Sequence, residues 1–268
     1  MKRLWLLNLG AELELEGRVL SSAARKKSQA AATMLAAALV PEGDDWFVGS
    51  CATKSEAREG RAFLPTSAAI GALRDAGAFV EAPDERILRE ANSRHFSVSH
   101  FPRSGVYLLA DEVDLQPGGA RLLKRDLSFA GGGQRRISSD VTEADRAWLR
   151  ASLDRGPVCV EPWLCIEEEL GMPGFVHGDG RIDVGDPVEQ HVVRGQWRAS
   201  KATTRAVPEL RQACRRAGQH LADIGYFGPF NIDAHRSELG WTHVSEINAR
   251  YTMGWALGWT SRPRPDLV

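Results

Sequence analysis

Asn231-Ile232-Asp233-Ala234-His235 and Val244-Ser245-Glu246-Ile247-Asn248-Ala249-Arg250, joined across a turn around Ser237 to Gly240, decide how this chain is read. Successive side chains of a strand point to opposite faces, so Glu246, Asn248 and Arg250 share one face and Ile247 and Ala249 take the other. Asn231 and Asp233 likewise stand together against Ile232 and Ala234. A two-residue loop at Leu239-Gly240 sets Asp233 directly opposite Glu246; a four-residue loop moves the partner by two and keeps the face. Opposed residues bring Cβ atoms to about 5 Å, where two carboxylates repel unless a cation lies between them. Mg²⁺ takes one or two carboxylates plus phosphate oxygens, and an asparagine carbonyl adds a ligand without adding charge. The alternative is a solvated hairpin face on which the acids pair with Arg236 and Arg250.

A phosphate site would complete such a cation, and one candidate lies upstream. Leu122 to Arg125 is an apolar-led strand with Lys124 at its end, followed by Ala130-Gly131-Gly132-Gly133. Glycines let backbone N–H groups approach phosphate oxygens, and a lysine adds a point charge. Neither Gly-Lys-Ser/Thr nor GxGxxG is present, and an ordinary hairpin turn is the competing reading. Further on, Val158-Cys159-Val160-Glu161-Pro162-Trp163-Leu164 is an apolar strand that exits into a linker ahead of Glu167-Glu168-Glu169. The backbone of such a segment can read adenine, and a later carboxylate can accept the ribose hydroxyls. A core strand with a solvated acidic turn would look the same.

Strand and helix alternate through the first 80 residues: strands at Leu4 to Leu9 and Asp45 to Gly49, helices at Ser21 to Leu39 and Thr66 to Ala76. That is the pattern of an open α/β lobe. Glu81 to Phe101 carries a further helix. Short strands with glycine punctuation follow at Val106 to Ala110 and Arg121 to Lys124, then a helix at Glu143 to Leu153. Gly171 to Val184 suits hairpin turns, and Pro208 to Ile224 reads as a helix with proline in its first turn. The basic stretch His191, Arg194, Arg198, Lys201 and Arg205 reads as a solvated loop or as a cover for the triphosphate or second substrate. Trp241, Trp255 and Trp259 read as core aromatics or as the wall of an acceptor pocket, and the tail from Ser261 as frayed.

Lys plus Arg number 34 against 35 Asp plus Glu in 268 residues, so no long-range field draws the chain to nucleic acid or an anionic membrane. Any phosphate must be held locally. Cys51, Cys159, Cys165 and Cys214 form no CxxC pair, which argues for reduced, mostly buried thiols. The run Leu4 to Leu9 leads into Glu12, Glu14 and Glu16, unlike a secretory signal. Ala30 to Val40 is too short to cross a bilayer of about 30 Å. A soluble cytoplasmic protein is expected.

Taken in order, the glycine loop after Lys124, the Glu161-Pro-Trp-Leu segment and the Asp233 … Glu246-x-Asn248-x-Arg250 hairpin resemble the ATP-grasp superfamily of carboxylate–amine and carboxylate–thiol ligases. The resemblance spans residues 90 to 255, and its most specific part is Glu-x-Asn-x-Arg with an aspartate 13 residues upstream. It implies an α/β fold, α+β in its core: an N-terminal open α/β lobe (1–90), a compact central lid lobe (91–160) and a C-terminal antiparallel-sheet lobe (161–268). ATP and Mg²⁺, with Mn²⁺ as an alternative, are the implied cofactors. By position, Lys124 would hold the α/β phosphates, Gly131, Gly132 and Gly133 would cover the triphosphate, and Glu161, Trp163 and Leu164 would line the adenine. Glu168, seven residues past Glu161, fits the ribose-binding acid, and Asp233, Glu246 and Asn248 fit the metal ligands. Arg250, with Lys124, would serve the reacting phosphate or carboxylate, and Arg94 stands where the family has its first phosphate-binding lysine.

The chain departs from the family pattern twice. Only 29 residues separate Arg94 from Lys124, and Asn231 replaces an arginine that some amino-acid ligases carry there. The implied activity joins a small-molecule carboxylate to an amine or thiol through an acyl phosphate. A small-molecule kinase and a nucleotide-binding accessory protein without turnover are the alternatives, and a homodimer is left open.

Overall fold

Three consecutive buried apolar side chains, Leu4, Trp5 and Leu6, make β1 (Arg3–Leu6) the middle of the first sheet. The protein is represented by a computed structural model that describes residues 2–18, 22–49, 58–115, 118–128, 132–193 and 196–267. β1 pairs in parallel with β2 (Asp45–Phe47) on one side and β3 (Arg58–Ala62) on the other, and β4 (Ala78–Phe79) completes the sheet beside β3. Parallel neighbours need crossovers. α1 (Glu12–Leu15) and α2 (Ser22–Leu39) supply the first, and α3 (Ser67–Asp75) the link from β3 to β4. The Arg-Glu-Gly-Arg-Ala sequence of β3 has no apolar alternation and escapes sequence reading. A Cβ at its Gly60 would lie 2.6 Å from Val80 Cγ2, so the strand passes closer to its neighbour than a side chain permits.

The single helix expected within Glu81 to Phe101 is two, α4 (Glu85–Ala91) and α5 (Arg94–His100). Ser93 breaks the run: its hydroxyl accepts from Phe96 N–H and donates to the Glu90 carbonyl, capping the second helix. The central antiparallel sheet contains β5 (Tyr107–Leu109), β6 (Arg121–Arg125), β7 (Gln134–Ile137) and β8 (Val158–Pro162), in the order β5-β8-β6-β7. α6 (Glu143–Leu153) begins with a full capping box between Thr142 and Asp145 and buries Leu149 against this sheet.

The third sheet is built on β9 (Ile166–Val176), flanked by β10 (Ile182–Val184), β11 (Val188–Val193) and β12 (Gln196–Ala202). Beneath it lies α7 (Pro208–Asp223), and the hairpin β13 (Gly228–Ser237) and β14 (Gly240–Asn248) completes it in the order β12-β11-β9-β13-β14. Two expectations are corrected here. Gly171 to Val184 is not all turn: Gly171 to Val176 belongs to β9, and the turn is confined to the stretch closed by His177 and Arg181. Its glycines serve close packing instead, since a Cβ on Gly174 would lie 2.2 Å from the Phe230 ring. Nor is most of the basic stretch a loop, because His191 lies on β11 and Arg198 and Lys201 on β12, while Arg205 lies in the loop between β12 and α7; Arg194 falls outside the described residues.

The tail is not frayed. Asp266 is 2 % exposed, accepts from Tyr251 Oη at 2.8 Å, and pairs with Arg264, whose Nη1 reaches the Leu39 carbonyl. Charged anchors, invisible to an apolar pattern, dock it. Trp255 and Trp259 are core residues. One apolar core joins the first and third sheets, while Leu109, Leu123, Ile137, Leu149, Val158 and Val160 form a separate core for the central sheet. A cleft runs between the two antiparallel sheets. No described helix is long and apolar enough to cross a membrane.

Candidate active site

Asp233 on β13 pairs in register with Glu246 on β14. The connecting loop is Glu238-Leu239, one residue earlier than assumed, and a register shift between Asp233 and His235 restores the expected partner. Asp233 Oδ1 accepts from Gln190 Nε2 at 2.7 Å and Asn231 Nδ2 at 2.9 Å, and Oδ2 accepts from Asn248 Nδ2 at 2.9 Å. Gly171, opposite Asp233 on β9, makes room for this cluster: a Cβ there would sit 2.6 Å from Gln190 Nε2. Burial, and then the charge of Glu246, push Asp233 up to about 6. Burial would raise Glu246 too, but Arg94 outweighs it and holds the carboxyl below its ordinary value.

Arg94 is itself buried and ties three elements together. Its Nη1 lies 2.7 Å from Glu246 Oε2, its Nε donates to the Arg125 carbonyl at 3.0 Å, and its Nη2 donates to Ser128 Oγ at 2.8 Å. Across the cleft, Lys124 Nζ lies 2.7 Å and Arg103 Nη2 2.9 Å from the two oxygens of Glu161. Burial opposes ionisation of Glu161, yet Lys124 and Arg103 hold it well below the carboxylate range. Gly133 adopts φ +68°, the left-handed turn that closes the β6–β7 hairpin, and its carbonyl accepts from Arg125 N–H. Gly132 also lines the cleft; Gly131 lies outside the described residues.

Arg94, Lys124, Glu161, Asp233, Glu246 and Asn248 thus meet in one cleft. Trp163 and Leu164 border it at the exit of β8, where Trp163 is half exposed beneath the Arg136 guanidinium, 4.2 Å from its ring centroid. Arg250, just past β14, donates from Nη2 to Asn248 Oδ1 at 2.8 Å. Glu168 also lines the cleft, but on the other face of β9. It registers with Arg236, pairs with Arg236 and Arg205, and so faces away from Asp233. Its neighbour Glu169 registers with His235, on the face that carries Asp233. Burial, and then Asp233, push Glu169 up to about 7.

Several site residues escaped sequence reading. Glu169 follows from strand parity once β9 is known to start at Ile166. His235 lies two residues past Asp233 on the same face, its Nε2 buried without a hydrogen-bond partner among the described residues; burial and Arg103 push it down to about 4. Gln190 and Arg103 carry no local signal, because only the fold brings them in.

Among the described residues no group of three or more His, Cys, Asp and Glu is poised for a metal ion. The donor set is therefore two carboxylates and an amide. Asp233 and Glu246 offer hard oxygens, whereas the Asn248 oxygen accepts from Arg250 and its amide nitrogen faces Asp233, so it is the carboxylate pair that fits Mg²⁺ or Mn²⁺.

No family model and no curated protein matches the sequence. Solved structures do match the fold. D-alanyl-alanine synthetase A from Vibrio cholerae is 12% identical over 92% of this chain and 88% of its own, with a TM-score of 0.55. N5-carboxyaminoimidazole synthetase from Staphylococcus aureus, complexed with ADP, is 11% identical over 98% and 78%, with a TM-score of 0.57. The N5-carboxyaminoimidazole ribonucleotide synthetase of Thermus thermophilus is 16% identical over 93% and 71%, with a TM-score of 0.56. An open parallel sheet, a small antiparallel sheet and a larger antiparallel sheet that carries the acidic hairpin together make this chain an ATP-grasp fold.

Proposed function

We propose that the protein is an ATP-dependent, ADP-forming ligase that activates a small-molecule carboxylate as an acyl phosphate and joins it to an amine or thiol. The observation that carries this reading is the cleft itself. Lys124 faces it from the central sheet and Arg103 from the loop before β5, and Asp233 and Glu246 face it from the C-terminal hairpin. In phosphoryl transfer the protein has little covalent work to do, so positioning and charge neutralisation dominate.

Asp233 and Glu246 would hold Mg²⁺, which when bound neutralises phosphate oxygens. Lys124 shares its charge between Glu161 and the phosphates, and the backbone N–H groups of Gly132 and Gly133 cover them. Arg94, its donors already engaged by Glu246, Ser128 and the Arg125 carbonyl, serves to position Glu246 and the glycine loop. Trp163 and Leu164 border the adenine. We assign the ribose hydroxyls to Glu169 in place of Glu168, because only Glu169 shares the face of Asp233. Arg250 orients the substrate carboxylate. Lobes close to 1–90, 91–160 and 161–268, with the last boundary moved past Pro162 so that β8 stays whole, divide these tasks.

A screen of amino acids, polyamines and hydroxy acids for stimulated ADP release tests the proposal. Free phosphate and ADP released only with both substrates present, with a hydroxamate formed when hydroxylamine replaces the amine, is the expected result. A phosphorylated product stable to hydroxylamine would assign a kinase instead, and nucleotide binding without stimulated turnover would leave an accessory protein.

A further inference from the structure

Asn92, Glu12 and Phe63 grip the chain just beyond the acidic hairpin at three successive residues, Ala249, Arg250 and Tyr251. Asn92 closes both backbone groups of Ala249, accepting from its N–H at 3.0 Å and donating to its carbonyl at 3.2 Å. The Phe63 carbonyl accepts from Tyr251 N–H at 3.2 Å. Between them, Arg250 packs over the Phe63 ring and places Nε 2.5 Å from Oε1 of Glu12 on α1. Both partners of this pair are buried, Glu12 at 2 % and Arg250 at 7 % exposure.

Arg250 also reaches toward the acidic hairpin. Nη2 donates to Asn248 Oδ1, which leaves the amide nitrogen of Asn248 turned to Asp233. Its charge acts on both Asp233 and Glu246. A guanidinium on a flexible stem beside two half-buried carboxylates is an internal competitor for any divalent cation they would hold. Glu12 draws that guanidinium the other way, and in doing so fixes the oxygen end of the Asn248 amide.

We propose that Glu12 is a positioning residue that holds Arg250 off Asp233 and Glu246 and so keeps their oxygens available to a divalent cation. The inference rests on the reading of the hairpin as a metal site and gives the first lobe a role in it. Its signature is an antagonism: removing Glu12 should weaken the metal, and removing Arg250 as well should restore it. A merely structural pair has no such sign.

The test uses the full chain with Mn²⁺ and a non-hydrolysable ATP analogue, free Mn²⁺ being read by electron paramagnetic resonance. Glu12→Gln should weaken Mn²⁺ binding roughly tenfold, the usual size of an outer-shell effect. The analogue's metal-free affinity should stay within about twofold, as for sites that do not share partners. The double variant Glu12→Gln/Arg250→Met leaves no unmatched buried charge, so it also guards against a Glu12→Gln protein that fails to fold. It should return Mn²⁺ binding to within about threefold of wild type. Glu14→Gln, on the same helix but bonded to Thr66, should leave it unchanged. Mn²⁺ binding by Glu12→Gln equal to wild type, or a double variant still about tenfold weak, overturns the proposal. A wild-type protein that binds the analogue but no Mn²⁺ overturns the metal site beneath it.

Discussion

Glu161 on the central sheet is met by two cations, Lys124 at 2.7 Å and Arg103 at 2.9 Å, whereas Asp233 on the C-terminal hairpin is met by the amides of Gln190, Asn231 and Asn248. Glu161 is buried and Asp233 half-buried, and burial pushes both upward. Only Glu161 has enough opposing charge to stay well below the usual carboxylate range, while Asp233 rises to about 6. One wall of the cleft is thus internally neutralised. The other accumulates negative charge at Asp233 and Glu169, and nearby Glu246 depends on a single arginine, Arg94, for its ion pair. A cation bound between the walls would complete the second in the way that Lys124 and Arg103 complete the first.

The largest effect on this contrast should come from Glu246→Ala. It leaves the Arg94 charge buried without a partner, a loss of about 3–5 kcal/mol for a broken buried pair. It also removes one of the proposed metal ligands. Denaturant unfolding should show the destabilisation, and substrate-stimulated ADP release should fall to background.

Lys124→Met attacks the neutralised wall and should act next. Glu161 keeps Arg103, so the fold survives, but a charge-assisted contact to phosphate worth about 1.5–3 kcal/mol is lost. Nucleotide affinity should fall roughly ten- to a hundredfold in calorimetry, while Mn²⁺ binding in the absence of nucleotide changes little.

The smallest effect is a change in pH dependence. Glu169 at about 7 and Asp233 at about 6 both hold protons in the folded state that the unfolded chain has already released. Their raised values therefore cost stability as pH rises from the ordinary carboxylate range toward 7. His235, pushed down to about 4, acts in the opposite sense, its contribution being lost as pH falls from 6.5 toward 4. Glu12, raised by burial, and His100, lowered by burial and His220, add one group to each side, so with three acids against two histidines the melting temperature of the ligand-free protein should fall between pH 5 and 7.5. In Glu169→Gln that fall should be shallower, by about 1 kcal/mol once the group's partial exposure to solvent is allowed for. Equal slopes in the two proteins would remove Glu169 from the uncompensated wall.

The two walls also differ in how much of them was legible. On the hairpin, the shared face of Asp233, Glu246 and Asn248 is a local property of alternation and holds whatever the rest of the chain does. Even so, the 233–246 pairing arises from a turn at Glu238-Leu239 compensated by a register shift, which no alternation reveals. Lys124 could be read at the end of its strand, but its partner Arg103 lies in a loop far from Glu161 in sequence. Glu168 and Glu169 differ by one residue of phase, and a slip of one moves a side chain to the opposite face.

Apolar runs let the sequence alone determine α6 from Glu143 to Leu153, the strand–helix alternation that begins at β1, and the acids of the hairpin, since each depends on residues within a turn or two of one another. Tertiary structure alone decided what those acids touch. Gln190 arrives on β11, Arg94 on a helix broken by the Ser93 cap, Glu12 from the far lobe, and the tail through Asp266. Each is a buried charged or polar contact between residues remote in sequence, set by which surfaces pack together, and periodicity carries no record of that.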